Sequence, residues 1–132
     1  MRTWQFHRLS IGQLGQANFL QQAFAYYPEI EAPSADLVFE VEWTDAADLA
    51  AQVEVGAKPT LALSEVRAHA LADGRFVVFD GFARFEIMPD GRRVSARLAA
   101  DDPREPQFVV DRSLLTCLMM VLRHHDLFVL HA

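Results

Sequence analysis

Apolar residues near the N-terminus recur at helical spacing: Leu14, Ala17, Leu20, Phe24 and Tyr27, with Phe19, Ala23 and Tyr26 widening the stripe. Ser10 followed by Gln13 fits a capping box at the start of such a helix, and Pro28 ends it. From residue 37 the period becomes two. In LVFEVEW, Leu37, Phe39, Val41 and Trp43 face one way while Val38, Glu40 and Glu42 face the other, which predicts a half-buried strand. Thr44 is then placed to cap a short helix over 45–52, with Asp45 and Asp48 near its positive end. Residues 53–63 have no clear period, and Lys58-Pro59 predicts a loop.

The middle of the chain carries the clearest signal. Asp-Gly occurs at Asp73-Gly74, Asp80-Gly81 and Asp90-Gly91, each flanked by strand-forming sequence (RAHALA, RFVVF, FARFEIM, RRVSARLA). Asp-Gly supplies the positive φ that tight hairpins need, so the spacing predicts a four-stranded antiparallel meander. Pro89 ahead of the third pair predicts a three-residue loop with a bulge there. Ala83, Phe85 and Ile87 share one face and Arg84 and Glu86 the other, so one face is core and one is wet.

AADDPREPQ at 99–107 is polar and broken by prolines, so a linker is expected at 101–110. A helix follows from about Asp111, ending on Arg123, His124 and His125, whose charge suits a helix C-terminus. Its middle has almost no polar face, which asks for cover on several sides. Leu114, Leu115, Leu118, Met119 and Leu122 are its candidate interaction surface. Leu127 to Leu130 then predict a final apolar strand. The expected fold class is α+β: an N-terminal helix, a meander with Asp-Gly turns, and a C-terminal apolar helix and strand. Residues 1–100 form the main unit, 101–110 the linker and 111–132 the closing helix and strand.

Composition narrows the function classes. The 132 residues are 52% hydrophobic and 23% charged, with net charge −6. That composition suits a folded core, and the acidic balance argues against nucleic acid or an anionic membrane as partner. One cysteine, Cys117, allows no internal disulfide and suggests a reducing compartment. No signal peptide or membrane span is legible at the N-terminus or elsewhere, so a cytoplasmic location is expected.

Few residues suggest chemistry. His124, His125, Asp126 and His131 are metal-type ligands, but adjacent histidines at a helix end diverge, and no H-x-x-x-H pair shares a helical face. A solvated helix end is the simpler account. Cys117 lies in the most apolar segment, where thiols are packing residues. Gly12 and Gly15 form a bare G-x-x-G without the lysine or hydroxyl of a phosphate loop. The paired carboxylates Glu40/Glu42 and Asp101/Asp102 have no visible reason for a perturbed pKa. No catalytic residue is assigned and no cofactor is expected in this chain.

The ending, DRSLLTCLMMVLRHHDLFVLHA, resembles the segment just before the phosphate loop of bacterial serine kinases related to HPr kinase/phosphorylase. In that family a variable N-terminal domain with a strand-rich middle leads into an apolar helix, then a strand ending in histidine and small residues, and then another strand and the Walker A loop. Helix 112–125, strand 127–131 and His131-Ala132 match this order over about twenty residues. The resemblance implies that the Walker A loop and catalytic aspartates would lie beyond Ala132. It makes this chain the non-catalytic, regulatory or substrate-docking part of such a kinase, with His131 near the nucleotide site. The partners it implies are that kinase domain and a protein substrate, with a homodimer covering the apolar helix in the isolated chain. Two alternatives stand beside it. One is a stand-alone protein-binding scaffold acting as a homodimer; the other is a small metal-dependent enzyme using His124, His125, Asp126 and His131.

Overall fold

The computed structural model describes residues 1–15, 19–51, 61–63 and 66–127. Nine strands among them form one mixed sheet: β1 (Arg2–Phe6), β2 (Leu9–Gly15), β3 (Glu29–Ile30), β4 (Leu37–Thr44), β5 (Leu61–Leu63), β6 (Val66–Ala70), β7 (Phe76–Phe79), β8 (Ala83–Ile87) and β9 (Arg93–Ala99). Their order is β3-β1-β2-β4-β9-β8-β7-β6-β5. The helices are α1 (Phe19–Ala23), α2 (Ala46–Ala51), α3 (Pro106–Val109) and α4 (Leu115–Val121). A π-helical turn, Val110–Leu114, joins α3 to α4, and a 3-10 turn, Leu122–His125, closes the run. The fold is therefore α+β. Among the described residues no helix is long and apolar enough to cross a membrane.

The expectation of a four-stranded antiparallel meander is corrected to this larger mixed sheet. Strands β6 to β9 do pair antiparallel in succession. However, β4 pairs in parallel with both β2 and β9, and those pairings join the run to the N-terminal strands. The Asp-Gly turns connect neighbours as the sequence predicts. Gly74, Gly81 and Gly91 all have positive φ. Each aspartate also accepts the backbone N–H two residues on, from Arg75, Phe82 and Arg92 respectively. That is the local bond that makes Asp a turn former.

The N-terminal helix is the largest correction. Residues 9–15 are a strand in which Leu9, Ile11, Gly12 and Gln13 are buried, Ser10 is half-buried, and Leu14 and Gly15 are exposed. Ser10 caps nothing; its hydroxyl and backbone N–H both bond to Asp36 Oδ2 at 3.0 and 2.9 Å. Gln13 does serve a helix, but from the strand, accepting the Leu20 N–H at 3.0 Å to satisfy the start of α1. Gly15 explains the strand's end. Its φ is +104°, and a Cβ there would fall on the Val41 carbonyl oxygen of the parallel neighbour. At α2, Asp45 rather than Thr44 is the cap, its Oδ1 accepting the Asp48 N–H at 2.8 Å, while Thr44 is the last residue of β4.

One face of the sheet makes the main core with α1 and the C-terminal helical run. Trp4, Ile11, Leu37, Phe39, Val41, Phe85, Val94 and Ala96 lie under Leu20, Phe24, Leu114, Cys117, Val121 and Leu122. Burial of that much apolar side chain is the dominant stabilising term, at roughly 1.5–3 kcal/mol per large residue. Leu49, Val77 and Ala99 are buried too, but outside that cluster.

Candidate functional site

Three places in the fold bring polar or apolar groups together, and the first lies at the end of the last helix. There the orphan carbonyls of a helix C-terminus need partners. Asp126 turns left-handed (φ 57°), and the N–H groups of Asp126 and Leu127 bond back to Arg123 and Leu122 at 3.3 and 3.0 Å. This is a Schellman closure, with Leu127 packed against the core as the motif requires. Arg8, from the β1–β2 turn, adds a clasp: its Nη2 donates to the carbonyls of His125 and Asp126 at 3.1 and 3.2 Å. His125 Nε2 is 2.7 Å from the Gly91 carbonyl, so that nitrogen carries the proton and donates. His124 packs so closely on Gly91 that a Cβ there would collide with it. Arg8, Asp36, Arg92, His125 and Asp126 line an open cleft of about 640 Å³ beside this clasp. Ser10's backbone N–H holds the Asp36 carboxyl below its usual range; burial opposes that, and the Ser10 hydroxyl and the nearby His125 and Arg92 add to it.

The metal-type residues of the remote alternative that are described, His124, His125 and Asp126, form no metal-holding group. His124 and His125 are engaged at the third Asp-Gly turn, and among the described residues no three His, Cys, Asp or Glu side chains form a metal-holding group. His131 and residues 128–130 of the expected final strand lie outside the described residues. Leu127, expected as its first residue, completes the helix cap instead.

The second place is the C-terminal helix itself. It begins at Pro106, inside the segment expected to be a linker. Of its expected interaction surface, Leu114, Leu118 and Leu122 are buried in the chain's own core at 1%, 8% and 0% exposure, because the sheet face lies directly beneath them. Leu115 is half-buried and Met119 is 37% exposed. These two, with Ala23, Val66, Val110 and Leu118, border an apolar groove whose rim carries Asp111 and Arg112. Cys117 is fully buried, and burial pushes its thiol pKa far up, so it is a packing residue.

The third place has no local signature in the sequence. Asp80, a turn residue by its Asp-Gly pair, buries its carboxylate completely. Five donors satisfy it: the N–H groups of Phe82 and Ala83 (2.9 and 2.8 Å), both terminal nitrogens of Arg104 (3.0 and 3.1 Å), and the Ser113 hydroxyl. Arg104 also reaches Asp102 through Nε and Nη2, and its guanidinium lies over the rings of Phe82 and Phe108 at 5.0 and 5.1 Å. The Asp102 hydrogen bonds and Asp80 raise the Arg104 pKa against the cost of burial. For Asp102, burial pulls the pKa up, but the bonds from Arg104 outweigh it and hold the group ionised. The network ties the β7–β8 turn, the segment before α3 and the π turn into one unit. Ser113 sits in the π turn, and its hydroxyl donates to Asp80 Oδ2.

No family model matches the chain, and no curated protein or solved structure matches it significantly.

Proposed function

We propose that this chain is the non-catalytic N-terminal domain of a cytoplasmic, HPr-kinase-like P-loop serine kinase, with a regulatory or substrate-docking role. The reading rests on the resemblance of the ending to that family's lead-in. The observation that favours it is the clasp at the helix end. Arg8, Gly91 and the Schellman closure tie the end of the last helix to the β1–β2 turn and the third Asp-Gly turn. A domain that positions a catalytic neighbour is helped by an anchored helix end, because slack there would lose orientation. His131 would then lie close to the nucleotide site of that neighbour.

The test is made on the native protein that carries this region. Removing residues 1–105 should leave ATP binding intact and abolish phosphoryl transfer to the protein substrate. Unchanged transfer would refute a docking or regulatory role.

A second reading is a stand-alone binding domain that forms a symmetric homodimer. It is favoured by exposed Met119 and half-buried Leu115 beside Asp111 and Arg112, since a two-fold axis can set each acid against the partner's base. Sedimentation of the 132-residue chain should give a dimer that Leu115→Glu/Met119→Glu splits; a wild-type monomer would dispose of it.

A further inference from the structure

A cavity of about 210 Å³ opens beside the Arg104 network, lined by Phe19, Trp43, Phe82, Leu98 and Val109, with Asp102 and Arg104 as its charged side chains. Protein interiors hold few voids larger than a water molecule, because atoms that line an empty space lose their contacts. A hollow of this size is therefore costly unless something fills it. It lies where two neighbouring parallel strands finish. Trp43 of β4 pairs with Leu98 of β9, each one residue before its strand ends. The carboxyl ends of adjacent parallel strands are a recurrent ligand position, since the connections that leave them diverge. Trp43 continues the buried series Leu37, Phe39, Val41 on β4, yet it is 56% exposed. One indole thus both lines the cavity and reaches solvent, which gives a ligand a way in.

The charged part of the lining has nothing left for a charged ligand. Asp102 Oδ1 accepts the Arg104 backbone N–H and Nε, both at 2.9 Å, and Oδ2 accepts Nε and Nη2 at 3.2 and 2.8 Å. Asp80 holds Nη1 and Nη2 of the same guanidinium. On the cavity wall a carboxylate and a guanidinium cancel. An ammonium or a carboxylate that entered would give up its hydration and find no free counter-charge. Three backbone N–H groups of the lining, at Ala99, Ala100 and Asp102, are taken by the carbonyls of Phe82, Thr44 and Ala99. Buried water needs roughly two to four polar partners, and these groups are already matched to one another.

What the lining does offer is aromatic and aliphatic surface. Phe19, Phe82 and Trp43 present three rings, and aromatic pairs attract one another in offset and edge-on arrangements. Apolar cavities of about 150 Å³ hold benzene, so this one takes a single ring with a short substituent.

We infer that this cavity is a binding site for a small neutral aromatic molecule, one ring without a charged group, held among Phe19, Trp43 and Phe82. The site does not rest on the kinase reading; it would exist in a stand-alone domain as well.

The test uses the whole chain and three probes of similar shape: toluene, benzylamine and benzoate. Toluene should shift the Trp43 indole N–H resonance saturably, leave that of buried Trp4 in place, and raise Tm. Benzylamine and benzoate should bind at least about tenfold more weakly, since each sheds its hydration without a partner. Val109→Phe, which fills the cavity, should abolish toluene binding by calorimetry. Trp43→Ala, at an exposed position that does not threaten folding, should weaken it at least about tenfold, and decides the matter if the filled variant does not fold. No saturable Trp43 shift with toluene, equal or tighter binding of either ion, or toluene affinity unchanged by Trp43→Ala would each overturn the proposal.

Discussion

Arg104→Ala leaves the Asp80 carboxylate fully buried without its cation, and this is the perturbation whose size follows most directly from the structure. Asp80 would keep the Phe82 and Ala83 N–H groups and the Ser113 hydroxyl, but its two bonds from Arg104 would go. Asp102 would lose the same partner. Removing one member of a buried pair costs about 3–5 kcal/mol, because the remaining charge stays desolvated and unmatched. The stacking of the guanidinium on Phe82 and Phe108 adds about 0.5–1 kcal/mol per ring. A domain of this size has about 5–15 kcal/mol in all, so the variant is expected to be marginal, with Tm lowered by about 10–20 °C. The control is Asp80→Asn/Arg104→Met, which removes both charges and keeps the volume. In urea unfolding the double variant should lose much less than the sum of the single ones, with a coupling of about 2 kcal/mol or more at unchanged m-value. A loss below about 1 kcal/mol for Arg104→Ala, or strict additivity, would refute the argument that this network pins the helix to the β7–β8 turn.

Three further outcomes are expected. Gly91→Ala combines a positive φ with a collision against His124, whereas Gly81 has the same kind of φ and open space around it. Gly81→Ala should therefore cost about 1 kcal/mol and Gly91→Ala clearly more, with amide exchange accelerated over 122–127 only in the latter. Asp36 has a folded pKa below its usual 3.8, so its contribution to stability is complete above that value and disappears as pH falls through the folded pKa. The stability gap between wild type and Asp36→Asn, followed by urea unfolding from pH 6 downward, should be constant to about pH 4 and then close. A gap that widens in acid would contradict the sign. Cys117, buried with a raised pKa, should react with a thiol reagent only as fast as the protein unfolds globally; labelling in the native state would show the helix to be open.

What the sequence disclosed was local. The 37–44 strand is visible because its alternation is carried by four large apolar residues. The Asp-Gly turns are visible because both the φ requirement and the side-chain bond lie within three residues. Residues 9–15 misled, since LSIGQLG fits period two as well as a helical stripe begun at Leu14. Deciding between them needs the parallel neighbour β4, which follows 22 or more residues later. The same holds for the site. Arg104 meets Asp80 across 24 residues and Ser113 meets it across 33, so no spacing rule could join them. Only an arginine held between prolines, in DPREP, hinted that the segment was fixed rather than a tether. The apolar helix misled in a different way. Its hydrophobicity points to an outside partner, but the nine strands among the described residues, wider than the expected four, supply much of the cover from within the chain.

The central claim, that this domain serves a catalytic neighbour, is tested most directly by the intact mass of the native protein isolated from its source cells. The expected mass is well above the 14.9 kDa of these 132 residues, with the sequence after Ala132 continuing through a strand into G-x-x-x-x-G-K-S/T. A native mass of 14.9 kDa would contradict it and leave the stand-alone binding domain in its place.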